Sequence, residues 1–109
     1  MGYDKKTLPP IPDTNPKVND VHLHCNSEVH SVEVKILDKD YKDTGLEWGH
    51  QEEHNANNVD LTLNDPNGVG DWPVGTRISV KVTNNSNNIK ILEGYWTHNG
   101  QQVGPPINF

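Results

Sequence analysis

Apolar and polar residues alternate with a period of two along four stretches of the chain. Val21 and Leu23 alternate with two histidines, and residues 32–36, 59–63 and 78–82 show the same pattern. A run with this period has one face that can be buried and one that stays in water, which is typical of antiparallel strands. The chain is therefore predicted to consist mainly of half-buried β-strands.

The C-terminal part predicts a further strand and a hairpin. In residues 89–96 the pair Ile91-Leu92 breaks the alternation and Gly94 permits a bulge, so this strand should be irregular. Asn99-Gly100 is a strong signal for a two-residue hairpin turn. The turn is expected to lead into a short strand at residues 101–103.

The composition favours the same fold class. Valine, isoleucine and threonine together number 24, whereas Ala56 is the only alanine, so β-formers are plentiful and good helix formers scarce. Residues rich in Asn, Asp, Gly and Pro connect the apolar runs. We predict an all-β fold, a small antiparallel β-sandwich or open barrel of about six to seven strands.

Prolines are concentrated near the start of the chain, at Pro9, Pro10, Pro12 and Pro16. Each proline fixes φ and restricts the residue before it, so residues 1–16 are predicted to form a Pro-rich, extended N-terminal arm. The remaining residues, 17–109, are predicted to form a single β-sandwich domain, because a chain of 109 residues has room for one core.

The charge balance excludes one class of partner. Nine Lys and Arg face fifteen Asp and Glu, a net charge of −6, so no nucleic-acid partner is expected. No apolar run is long enough to span a bilayer and no signal-peptide pattern is visible, so the chain is expected to be soluble, in a compartment left open. Cys25 is the single cysteine and shares a face with Val21 and Leu23, which favours a buried thiol.

Two histidines provide the first candidate chemistry. His22 and His24 are two residues apart on a predicted strand, so their rings project from one face and can converge on a metal ion. The pattern His22-x-His24-x-x-x-Glu28 resembles the first metal motif of the cupin family, and residues 73–75, Pro-Val-Gly, resemble part of its second motif. The resemblance implies a small His-based metal-binding protein, a simple binder or an enzyme, with these three side chains on a divalent metal.

That resemblance is partial. Pro16 and Lys35 stand where glycines flank the first motif, and Ile78 stands where the second motif has its histidine. A separate string, His50-Gln51-Glu52-Glu53-His54, matches a zinc-protease pattern that requires a stable helix. Because helix formers are scarce around it, this string is predicted to be a polar loop or a strand end.

The Gly- and Asn-rich loop of residues 64–75 provides the second candidate chemistry. Trp72 lies in this loop, where its ring could stack on a sugar, and Tyr95 could extend the same surface. Asp65, Asn67 and Asp71 offer oxygens for hydroxyl groups or for a calcium ion. The alternative is that the Trp72 ring folds back and closes one end of the sandwich.

Three classes of function fit such a chain: a binding module for a carbohydrate or protein ligand, a His-based metal protein, and an accessory subunit that acts through an exposed strand edge. The same strand edge could also form the contact of an oligomer. Catalysis needs convergent titratable groups in a water-excluding pocket, and the apolar content of 31% provides little material for one. The sequence therefore favours a non-enzymatic binding or interaction domain, with the metal protein as the alternative.

Overall fold

The computed structural model describes residues 2–38, 40, 42–54, 59–64, 72–85 and 87–109, with backbone alone for 43–54 and 59–64. The described residues form an all-β protein, which confirms the predicted fold class. Eight strands lie in this part of the chain: β1 (Gly2–Thr7), β2 (Asp20–Cys25), β3 (Val29–Leu37), β4 (Asp43–His54), β5 (Val59–Asn64), β6 (Arg77–Asn84), β7 (Ile91–His98) and β8 (Gln101–Asn108). No described residue belongs to a helix long and apolar enough to cross a membrane.

The strands pair into two four-stranded antiparallel sheets. The first sheet has the order β1-β6-β3-β4 and the second the order β5-β2-β7-β8. Alternate residues of each sheet meet in one shared apolar core, as in a β-sandwich. Val32, Val34 and Ile36 of β3 lie opposite Val82, Val80 and Ile78 of β6, and all six are buried.

β2 and β7 contribute the central part of the inner face of the second sheet, and Ile107 of β8 is buried beside them. Val21, Leu23 and Cys25 are fully buried, so the outward positions between them belong to histidines. Trp96 is opposite Val21 in the register of β2 and β7 and is also buried. The period-two pattern of residues 59–63 predicts that Leu61 and Leu63 lie in the same core, and their side chains lie outside the described part of the structure.

The first sixteen residues contribute to the sandwich. Gly2–Thr7 pairs with β6 as the edge strand β1. Leu8 and Ile11 are each about 1% exposed, and the Leu8 N–H donates to the Ile78 carbonyl over 2.8 Å. The Ile11 N–H likewise donates to the Thr76 carbonyl over 2.9 Å. The division of the chain at residue 16 remains a prediction.

The β7–β8 hairpin has the turn that Asn99-Gly100 predicts. Asn99 has φ 49° and Gly100 has φ 86°, the left-handed values of a type I′ turn. β8 continues to Asn108, well past the predicted end at residue 103. Its two prolines, at 105 and 106, are tolerated because β8 is an edge strand of its sheet.

Candidate functional site on the outer face of the second sheet

The pairing of β2 with β7 sets the outward-facing side chains in rows across the sheet. His22 is directly opposite Tyr95, and His24 is directly opposite Glu93. The imidazoles are half-buried, because each stands between neighbours on the same face. Period two predicted that both histidines share a face, and the register of β7 adds Tyr95 to that face.

His22 and Tyr95 form a stacked pair. Their ring centroids are 4.9 Å apart and their planes are inclined by 15°. Cross-strand aromatic pairs of this kind stabilise a sheet by a few tenths to about 1 kcal/mol. Stacking also limits the rotamers of both rings, so the pair gives this face a fixed and partly apolar platform.

The platform lies in a shallow groove of about 360 Å³, which we call the histidine groove. β8 provides its far wall, since Pro106 is opposite Tyr95 and Asn108 is opposite Glu93. The groove combines imidazole, phenol, carboxylate and amide groups, so it offers both hydrogen-bond donors and acceptors. Its lining consists of His22, His24, Glu93, Gly94, Tyr95, Gln102, Pro106 and Asn108.

A buried carboxyl group lies next to this groove along β2. Asp20 is opposite Thr97 in the register, and both residues are buried. Burial raises the pKa of Asp20, against the opposing effects of the Val21 N–H and of nearby His22. The Val21 N–H donates to Asp20 Oδ1 over 2.7 Å, so the ionised carboxylate accepts one hydrogen bond from the backbone.

The structure does not bring the three predicted metal ligands together. Glu28 lies beyond the end of β2 and approaches His30, with 3.7 Å between Oε2 and Nε2. Among the side chains that the structure describes, no group of three or more His, Cys, Asp or Glu residues is placed to hold a metal ion. Tyr95 stacks on His22, and Glu93 is the residue directly opposite His24.

The string His50-Gln51-Glu52-Glu53-His54, which matches a zinc-protease pattern, lies in a β-strand. Residues 50–54 belong to β4, so their backbone is extended and not helical. A His-x-x-Glu-His zinc site of the helical kind is therefore excluded here.

Trp72, the predicted stacking residue, lies in the core. Its side chain belongs to the buried apolar cluster with 4% of its surface exposed. Its backbone N–H donates to the Val18 carbonyl over 2.8 Å, which fixes the segment against the chain that leads into β2. In this position the ring presents no face to a ligand. Asp65, Asn67 and Asp71 lie outside the described residues, so the predicted loop site remains a prediction.

Sequence reasoning missed the contribution of β8. A two-residue turn at Asn99-Gly100 places Gln102 opposite Thr97, so this pair could be predicted from the sequence. Between Tyr95 and Thr97 the register then shifts, so Tyr95 faces Pro106 rather than residue 104. No local sequence signal marks this shift, so the sequence did not predict that Pro106 and Asn108 line the groove.

The chain matches no protein-family model, no curated protein and no solved structure. The shape and chemistry of the histidine groove are therefore what bears on function.

Proposed function

We propose that the chain is a non-enzymatic binding domain that holds a carbohydrate in the histidine groove. The stacked rings of His22 and Tyr95, set among polar side chains, are the observation that carries this proposal. A sugar ring has an apolar face of C–H groups that packs on an aromatic platform, while its hydroxyls need donors and acceptors around the rim.

The rim has the required groups. Gln102 and Asn108 each offer an amide with donor and acceptor atoms, and Glu93 offers a carboxylate. All three are exposed. Hydroxyls can therefore replace the water on these groups at little cost in desolvation.

The size and openness of the groove favour binding over catalysis. Its volume of about 360 Å³ lies at the lower end of the range for small-ligand pockets, which suits a short glycan segment. The groove lies on the outer face of a sheet, where water reaches the ligand from one side. Catalytic sites usually exclude that water to strengthen their electrostatic interactions.

A glycan array with the wild-type chain and Tyr95→Ala tests the proposal. We expect the wild type to retain a subset of glycans and the Tyr95→Ala variant to lose about tenfold in affinity. Stacking of a nucleobase on one aromatic side chain contributes on the order of 1–3 kcal/mol, and packing of a sugar face on the same kind of ring is expected to be of similar size. The melting temperature should change little, because Tyr95 is only half-buried.

Tyr3→Ala is the matched control. Tyr3 is 65% exposed and belongs to the other sheet, so its loss removes an equal ring from the surface without touching the groove. Equal loss of binding in the two variants would contradict the proposal. Absence of any retained glycan, with specific retention of a protein through Tyr95, would favour the alternative of a protein ligand.

A further inference from the structure

A cluster of lysines occupies the outer face of the first sheet, opposite in the sandwich to the histidine groove. Lys5 of β1 is directly opposite Lys81 of β6, and Lys35 of β3 lies nearby. The chain has only nine Lys and Arg and a net charge of −6, so three basic side chains around one hollow is a marked concentration. Two like charges placed directly opposite on adjacent strands destabilise a sheet.

Of the side chains that the structure describes, three lysines and one carboxylate line the hollow, so it keeps an excess of positive charge. The carboxylate is that of Glu33, which is directly opposite Lys81 in the register of β3 and β6 and has its Oε1 3.7 Å from Lys35 Nζ. Within the described side chains, no carboxylate oxygen lies within 4.0 Å of the ammonium of Lys5 or Lys81. Lys81 Nζ instead lies 5.0 Å from the centre of the Tyr3 ring, a contact that holds the ammonium but leaves its charge in place.

The hollow beside these lysines has a volume of about 350 Å³, with Tyr3 and Ser79 also in its lining. We propose that Lys5 and Lys81 bind the phosphate group of a small phosphate monoester there. A phosphate monoester carries up to two negative charges near neutral pH, which matches the two ammonium groups. An extended polyanion is a poor occupant, because the chain as a whole has a net charge of −6 and would repel it.

The proposal does not depend on the carbohydrate proposal, since the two sites lie on different sheets and share no residue. Phenyl phosphate is a suitable probe, with phenyl sulfate as its singly charged analogue of nearly equal shape. Calorimetric titration of the full chain at low ionic strength measures both. We expect phenyl phosphate to bind about tenfold more tightly than phenyl sulfate, because the second charge engages the second ammonium.

Lys5→Gln and Lys81→Gln should each weaken phenyl phosphate binding by about tenfold, the loss of one charge-assisted contact. Lys90→Gln is the matched control, because Lys90 is exposed and lies outside the hollow, yet the change in net charge is the same. The Lys5→Gln and Lys81→Gln variants should each melt at or above the wild-type temperature, because the repulsion between the two ammonium groups is relieved.

Three results would overturn the proposal. The first is absence of phenyl phosphate binding to the wild type at millimolar concentration. The second is an equal loss of affinity in Lys90→Gln, which would show that overall charge alone is responsible. The third is equally tight binding of phenyl sulfate, which would show that the paired ammonium groups do not act together on a dianion.

Discussion

Gly94 is the residue that allows β7 to lie close to β2 under the histidine groove. A Cβ atom built at this position would lie 2.3 Å from the His22 carbonyl oxygen and 2.7 Å from Leu23 Cδ2. The first contact is with backbone, which has little freedom to move within a paired strand. The sequence suggested a bulge here, and a register shift does lie close by, between His24 and Cys25, but at Gly94 itself the requirement is close approach.

Gly94→Ala is therefore expected to lower the free energy of unfolding by about 1–3 kcal/mol or more, the usual cost of overpacking. Urea denaturation followed by tryptophan fluorescence measures this change. Leu92→Ala is the control, because Leu92 lies on the same strand and is 43% exposed, so its truncation should change stability by about 0.5 kcal/mol or less. A Gly94→Ala variant as stable as the control would show that the strands separate freely at this point.

Asp20 predicts a pH dependence whose sign follows from its burial. Its pKa is raised above the ordinary value of 3.8 by burial, so the folded state holds the proton more tightly than the unfolded state. Stability contributed by this group is fully present below pH 3.8 and is lost as the pH rises through the raised pKa of the folded state.

Asp20→Asn removes this titration and can keep the acceptor for the Val21 N–H. We expect the variant to melt at a higher temperature than the wild type near pH 7, with the difference shrinking as the pH falls through the raised pKa towards 3.8. Thermal melts across this range measure the difference, with the exposed Asp40→Asn as control. A difference that grows as the pH falls would contradict the assigned direction.

At the scale of elements, the strands with a period-two apolar pattern were predictable, the edge strand β5 among them, whereas the edge strand β1 and most of the edge strand β8 were not. β3 and β6 bury alternate side chains against the core, so their own sequence records their structure. β1 has no apolar alternation and forms because its backbone pairs with β6. Likewise β8 extends through two prolines that a strand inside a sheet would reject.

In the candidate site, too, some features could be predicted from one strand alone and others depend on how the strands pair. That His22 and His24 share a face follows from the geometry of a single strand. That Tyr95 joins them depends on which strands pair and in what register, and an apolar face fits many partners equally well. The position of Trp72 in the core was open for the same reason, since a loop sequence does not state which way a ring turns.

The N-terminal arm gives the prediction at this scale. Removal of residues 1–16 would leave β6 as an open edge and would remove the buried side chains of Leu8 and Ile11. Burial of two such side chains contributes about 1.5–3 kcal/mol each. We therefore expect the chain 17–109 to melt at a much lower temperature and to associate through its exposed edge.

Circular dichroism melts and gel filtration measure both effects. Pro9→Ala with Pro10→Ala is the control, because these two prolines are exposed and the arm keeps its buried residues. A chain 17–109 that melts like the full chain and remains a monomer would show that the arm is dispensable for the sandwich.

For the molecule as a whole, the thin apolar core is closed by segments outside the two sheets. Residue 11 of the arm accepts a hydrogen bond from the Gly75 N–H over 2.9 Å, and residue 18 accepts one from the Trp72 N–H. The segment that carries Trp72 is thus held between two parts of the chain that precede β2. Its ring belongs to the buried apolar cluster that the two sheets share.

This arrangement predicts that Trp72→Ala lowers the free energy of unfolding by about 3–5 kcal/mol, the cost of truncating a buried aromatic side chain. Trp72→Phe should cost less, because it keeps a ring in the same space. The two variants are compared with the wild type by thermal melts and on the glycan array in parallel. An unchanged melting temperature together with lost glycan binding would contradict the packing role and would make Trp72 a ligand contact. A large loss of stability in Trp72→Ala, with binding retained by Trp72→Phe, would leave recognition to the histidine groove and make the Trp72 ring part of what holds the two sheets together.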